Sequence, residues 1–178
     1  MRLLPGTLVL LSLGLSFSGA GLAEQDLAAR VALAKSAAPA SISDKATIVV
    51  DGKVVAEGSN GWTCMPDTMP GDGAAMCNDA EWMRMMQAVG SKADFVANGV
   101  GISYMLHGDI GAGVSNATPY HPDPKSADDY TETGPHLMII VPRELLKGIT
   151  TDPASGGPYV MWGETPYAHI MVPLGAPH

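Results

Sequence analysis

Thr47-Ile48-Val49-Val50-Asp51-Gly52-Lys53-Val54-Val55-Ala56 decides the fold class. Two runs rich in β-branched side chains, which favour the pleated strand, flank a central Asp-Gly. That pair tolerates the positive φ angles of a tight type I′ turn, so the stretch predicts a hairpin. Working outward, Leu137–Val141 is a continuous apolar run and reads as a central strand. Val100, Ile102, Tyr104 and Leu106 alternate with Gly101, Ser103 and Met105, the pattern of a half-buried strand. Tyr159–Trp162 and Ala168–Val172 are the last two strands. The short Gly163-Glu164-Thr165-Pro166 connection makes them an antiparallel pair.

Helices fill two of the gaps. Glu24–Ala38 carries Leu27, Val31 and Ala34 on one stripe, and Pro39 stops it. After Cys77, Asn78 is placed as an N-cap with Glu81 three residues on in a capping-box arrangement. Trp82, Met85, Met86 and Val89 then fall at i, i+3, i+4 and i+7, a buried face, and Gly90 is a natural stop. Ser59–Cys77 and His107–Thr133 read as irregular loops. The expectation is an α+β fold: a single domain with an antiparallel sheet of about five or six strands, covered by one or two helices.

Residues 1–23 have the layout of a secretory signal peptide. Arg2 gives a positive start, Leu3–Gly19 is almost wholly apolar, and Gly21 and Ala23 are the small residues before a cleavage point at Glu24. That leaves residues 24–178 as one globular domain in the periplasm or the medium. No later stretch approaches the roughly 20 apolar residues of a membrane span. In an oxidising compartment the two cysteines, Cys64 and Cys77, read as a disulfide, which the chain-entropy model values at about 3 kcal/mol. Eighteen acidic against ten basic residues give a net charge of −8. Such a surface repels nucleic acid and anionic lipid, so neither is an expected partner.

Three histidines lie on or beside strands: His107, His136 and His169. If their strands are neighbours, the imidazoles can meet at one end of the sheet. There they would bind a divalent transition metal such as zinc or copper, with Glu164 or Asp109 as a nearby carboxylate. The competing reading makes each a hydrogen-bonded structural histidine. Six methionines fall between Met65 and Met86. Thioethers bind Cu(I), yet helical spacing places Met85 and Met86 in the core, where methionine is a gap-filler. Gly108–Gly113 resembles a phosphate loop only superficially, since neither a lysine nor a helix follows it. Asn116-Ala117-Thr118 fits a glycosylation sequon. Asp123, Asp128, Asp129 and Glu132 lack the EF-hand spacing for calcium. Trp62 and Trp162 are candidates to line a ligand groove. No GxSxG elbow, Ser-x-x-Lys pair or CxxCH motif is present.

Several pieces of the chain recur together: Asn60-Gly61-Trp62-Thr63-Cys64-Met65-Pro66, Met76-Cys77, Trp82, Gly134-Pro135-His136, Gly156–Trp162 and Thr165–His169. They resemble a group of exported bacterial proteins of unknown function. The resemblance spans Asn60–Pro173 and implies export and a single domain, and it brings no activity or catalytic residue. Three readings follow. The first is a non-enzymatic domain that binds a small molecule or protein through the Ser59–Cys77 and His107–Thr133 segments. The second is a metal-binding protein or metalloenzyme using His136 and His169. The third is a hydrolase of unrecognised type.

Overall fold

The computed structural model describes residues 19–176, so most of the expected signal segment lies outside the described residues. The hairpin is β1 (Thr47–Val50) and β2 (Lys53–Ala56). Asp51 and Gly52 take φ of 50° and 72°, the left-handed pair a type I′ turn needs.

The remaining strands are β3 (Thr63–Met65), β4 (Met76–Asn78), β5 (Gly101–Met105), β6 (Val114–Ser115), β7 (Tyr130–Thr131), β8 (His136–Ile140), β9 (Tyr159–Met161) and β10 (His169–Pro173). Eight of them form one sheet in the order β2-β1-β3-β4-β5-β8-β10-β9, and β6 and β7 form a small ladder of their own. The expected five or six antiparallel strands are therefore corrected. There are eight, and because β1 runs parallel to β3 the sheet is mixed. The surplus strands come from segments read as loops. β3 and β4 are three residues each, and pairing to β1 and β5 on either side holds them in register.

Among the described residues three α-helices stand where one or two were expected: α1 (Gly19–Ser36), the four-residue α2 (Ala40–Ser43) and α3 (Ala80–Ser91). Among its described side chains, α1 packs through its later half. Ala34 and Ala37 are fully buried against Ile48, Cys64 and Cys77, while Leu27 is 40% exposed and leaves the predicted stripe. Cys64 and Cys77 face each other across β3 and β4 and are bonded.

Successive strand residues point to opposite faces. Cys77 thus lies under α1, while Met76 and Asn78 lie under α3. The α3 cap is Asp79 rather than Asn78. One Asp79 carboxylate oxygen accepts from the Trp82 amide at 2.8 Å and the other from the Ile102 amide at 2.7 Å. Asn78 is still a strand residue there, paired with both Thr63 and Ser103. Glu81 leaves the capping role and instead pairs with Arg84 at 2.6 Å. Gly101 is needed where α3 closes on β5, because a Cβ would stand 3.0 Å from the Glu81 side chain. The core under α3 is built from Trp82, Phe95, Tyr159, Tyr167 and Ile140 with Met76, Met85, Met105, Met138, Met161 and Met171. Among the described residues no helix is long and apolar enough to cross a membrane.

Candidate functional site

β5, β8 and β10 are neighbours, so the strands carrying the three histidines do lie side by side. Their imidazoles do not gather at one end. His107 is exposed beyond the end of β5. His136 opens β8 opposite Met105 and Pro173. β10 runs antiparallel to β8, which sets His169 opposite Ile140 by the same register. The two share the α3 face but stand four residues apart, roughly 13 Å at the strand rise. Among the described residues no three His, Cys, Asp or Glu side chains are grouped to hold a metal ion.

His136 is fully buried at the end of the sheet. The chain's C-terminal segment closes that end: Leu174 donates to the Pro135 carbonyl at 2.7 Å, and a side chain at Gly134 would strike the Ala176 backbone. Gly108 lies against Gly134, which accounts for one glycine of the phosphate-loop look-alike. His136 Nδ1 is 2.7 Å from the Gly134 carbonyl. A carbonyl only accepts, so Nδ1 carries the proton and Nε2 presents a bare lone pair. Burial pushes the imidazole pKa down, against the pull of that carbonyl, and keeps the ring neutral.

Nε2 of His136 has no hydrogen-bond partner and stands 4.0 Å from Oδ1 of Asp109. That is beyond hydrogen-bond reach. The second Asp109 oxygen accepts from the Thr133 amide at 2.6 Å. Burial pushes the Asp109 carboxyl up to about 7; the Thr133 amide opposes the shift, and the charges of Glu132 and Asp72 add to it. Beside it the hydroxyls of Tyr159 and Thr133 meet at 3.0 Å. Those two residues carried no signal in the sequence: Tyr159 reads as an ordinary strand residue and Thr133 as the end of a loop.

His169 is equally buried. Its Nδ1 donates to the Tyr167 carbonyl at 2.9 Å, and its Nε2 has no partner. Trp82 and Trp162 enclose it edge-on, with ring centroids at 5.1 and 5.0 Å. Burial foremost drives its pKa down to about 4, opposed by the Tyr167 carbonyl and aided slightly by His136.

The other sequence candidates separate. Trp62 packs on Tyr104 on the α1 side, with centroids 5.5 Å apart. Trp162 packs on the α3 side and donates to the Ser115 carbonyl at 3.0 Å. The two indoles therefore do not line a common groove. Glu164 is exposed. Two of the loop acids brace the backbone: Asp129 accepts from Ser115 and Ala117, and Glu132 from Gly111 and Tyr130. The sequon residue Asn116 donates its amide to the Thr151 carbonyl.

A groove of about 390 Å³ opens elsewhere, near the His169 end of the sheet. Phe95, Val96 and Ala97 form one wall and Val141–Glu144 the other, with Ile140 and Ala168 between them. The Arg143 guanidinium on its rim is fixed by the carbonyls of Thr165, at 2.8 Å, and Gly163. Comparison of the chain with protein-family profiles, curated proteins and solved structures found no match.

Proposed function

We propose that the protein is an exported, non-enzymatic binding domain that takes a small molecule in the groove between Phe95–Ala97 and Val141–Glu144. The groove itself carries this reading. Its volume falls in the range of small-molecule sites, its walls are largely apolar, and one fixed cation stands on the rim. That chemistry suits an apolar body with a carboxylate or other acceptor head. Aromatic carboxylates are the probes to titrate, by amide chemical shifts and thermal stability. Val96 is 75% exposed, so Val96→Asp leaves the core intact while placing a charge on the wall. The expected result is shifts confined to the groove in the wild type and their loss in Val96→Asp and Arg143→Gln. No binding by any aromatic carboxylate, or equal binding by the variants, refutes the reading.

The gap between His136 and Asp109 favours a second reading, a divalent transition metal. Tetrahedral zinc, with bonds of about 2 Å to imidazole nitrogen and carboxylate oxygen, sets two such donors about 3.3 Å apart, so the 4.0 Å gap must narrow slightly to hold an ion. Waters would complete the coordination. Metal analysis of the purified protein decides. Stoichiometric zinc or copper that disappears in Asp109→Asn with His136→Ala supports the site; metal content unchanged by those substitutions sinks it.

Export is supported by the composition of residues 1–23 and by the Cys64–Cys77 disulfide, which suits an oxidising compartment. N-terminal sequencing of the protein recovered from outside the cytoplasm should begin at Glu24. Recovery only from the cytoplasm, beginning at Met1, contradicts it.

A further inference from the structure

Met83 and Met86 end on a single buried amide. Their sulfur atoms each lie 3.6 Å from Nδ2 of Asn78. Asn78 is completely buried, and its Oδ1 has no partner at all. A thioether is a weak acceptor, so two of them serve this amide poorly, while its own stronger acceptor goes unused. Each thioether accepts one amide N–H with one lone pair and keeps its second lone pair free for another partner. Three residues apart on α3, they emerge on one side of the helix. A third thioether lies one same-face position further along β3: Thr63 stands opposite Asn78 and Met65 opposite Met76, and Met65 packs on the same core. Met65, Met83 and Met86 are all half-buried, which leaves a route in from solvent. Met76, opposite Met65, is buried and accepts from the Thr68 hydroxyl.

We propose that Met83 and Met86, with Met65, form a thioether site for a soft monovalent cation, Cu(I). Soft sulfur ligands select Cu(I) over zinc and calcium. Both cysteines are consumed in the disulfide, so no thiolate competes for the ion. Asn78 is a positioning residue beneath the sulfurs. A thioether has no proton to lose, so this site keeps its affinity in acid, where an imidazole or carboxylate site fails. The inference is independent of the groove and of the His136–Asp109 gap.

The test uses the disulfide-intact mature protein. It is titrated with Ag(I), the redox-inert analogue, and with Cu(I) against a chelator, at pH 7 and pH 5, while the methionine methyl signals are followed by NMR. The expected result is a single tight equivalent that shifts the Met65, Met83 and Met86 methyls and is little changed at pH 5. Met83→Leu with Met86→Leu keeps apolar bulk, so the variant should unfold as cooperatively as the wild type yet bind about tenfold more weakly or worse. Met69→Leu, at the most exposed of the described methionines, should bind as the wild type does. Unchanged affinity in the double variant overturns the proposal. So does binding that vanishes at pH 5, or binding that shifts only the Met69 methyl.

Discussion

The imidazole of His169 stands edge-on to the indole of Trp162, with ring centroids 5.0 Å apart and planes at 84°. Trp82 closes the other side, so a proton on Nε2 would find neither water nor an acceptor. The unfolded chain takes that proton near pH 6.5, and the folded chain only at about 4. Folding stability is therefore lost as pH falls through this window, by roughly 3 kcal/mol over its width. His169→Phe keeps a ring between the two indoles and should remove that share of the acid sensitivity. Urea unfolding at pH 6.5 and pH 4 measures it, and an undiminished difference in the variant would show that the imidazole is not held neutral.

Asp109 works in the opposite direction. Its carboxyl is raised from 3.8 to about 7, so between those values the folded chain holds a proton that the unfolded chain has released. Its contribution to stability is present at low pH and lost as pH rises through that window. Asp109→Asn can still accept from the Thr133 amide but never ionises. The variant should gain on the wild type above pH 7 and not below pH 4. A wild-type carboxyl carbon resonance titrating near 4 instead of near 7 would contradict this.

Joining strand residues directly opposite each other, the Cys64–Cys77 bond ties β3 to β4 at the middle of the sheet. Breaking it should cost about 3 kcal/mol, measured as a lower denaturant midpoint in Cys64→Ala with Cys77→Ala. Alkylation before reduction should label neither cysteine. Two labelled thiols in unreduced protein would refute the bond.

Asp79 serves two amides at once, those of Trp82 and Ile102. Asp79→Ala strands both and should cost about 1–3 kcal/mol. Asp79→Asn, which retains one acceptor oxygen, should cost less. Equal losses in the two variants would mean that the carboxylate does not bridge helix and strand.

The parts of the fold that local chemistry dictates were legible in the sequence. Asp51-Gly52 marked its turn, the Trp82–Val89 spacing marked a helix, and the cysteines marked their bond. β3 and β4 were hidden because three residues among Gly, Pro and Asp hold no periodicity; pairing with β1 and β5 makes them strands. The helix cap moved by one residue for the same reason, since sheet pairing claims Asn78 first. In β5 the fully buried set is Gly101, Ser103 and Met105, because small residues let α3 approach. At the site, the sequence marks His136 and Asp109 as candidates, but their gap depends on how the segment after β5 folds back on Thr133. The separation of His136 from His169 needed the strand direction, which spacing along the chain does not encode.

The sheet's two borders are unlike, and that limits how copies of this chain can join. Along β9 the outward amides of Val160 and Trp162 are already taken, by the carbonyls of Thr150 and Asn116, each at 2.7 Å. Along β2 all four residues are exposed and the outer side has no strand beside it. Continuous strand addition needs two receptive borders, one for each new neighbour. Among the described residues this sheet has one. A pair joined β2 to β2 across a twofold axis would use up the open border of both copies, so strand addition along this sheet would end at two molecules.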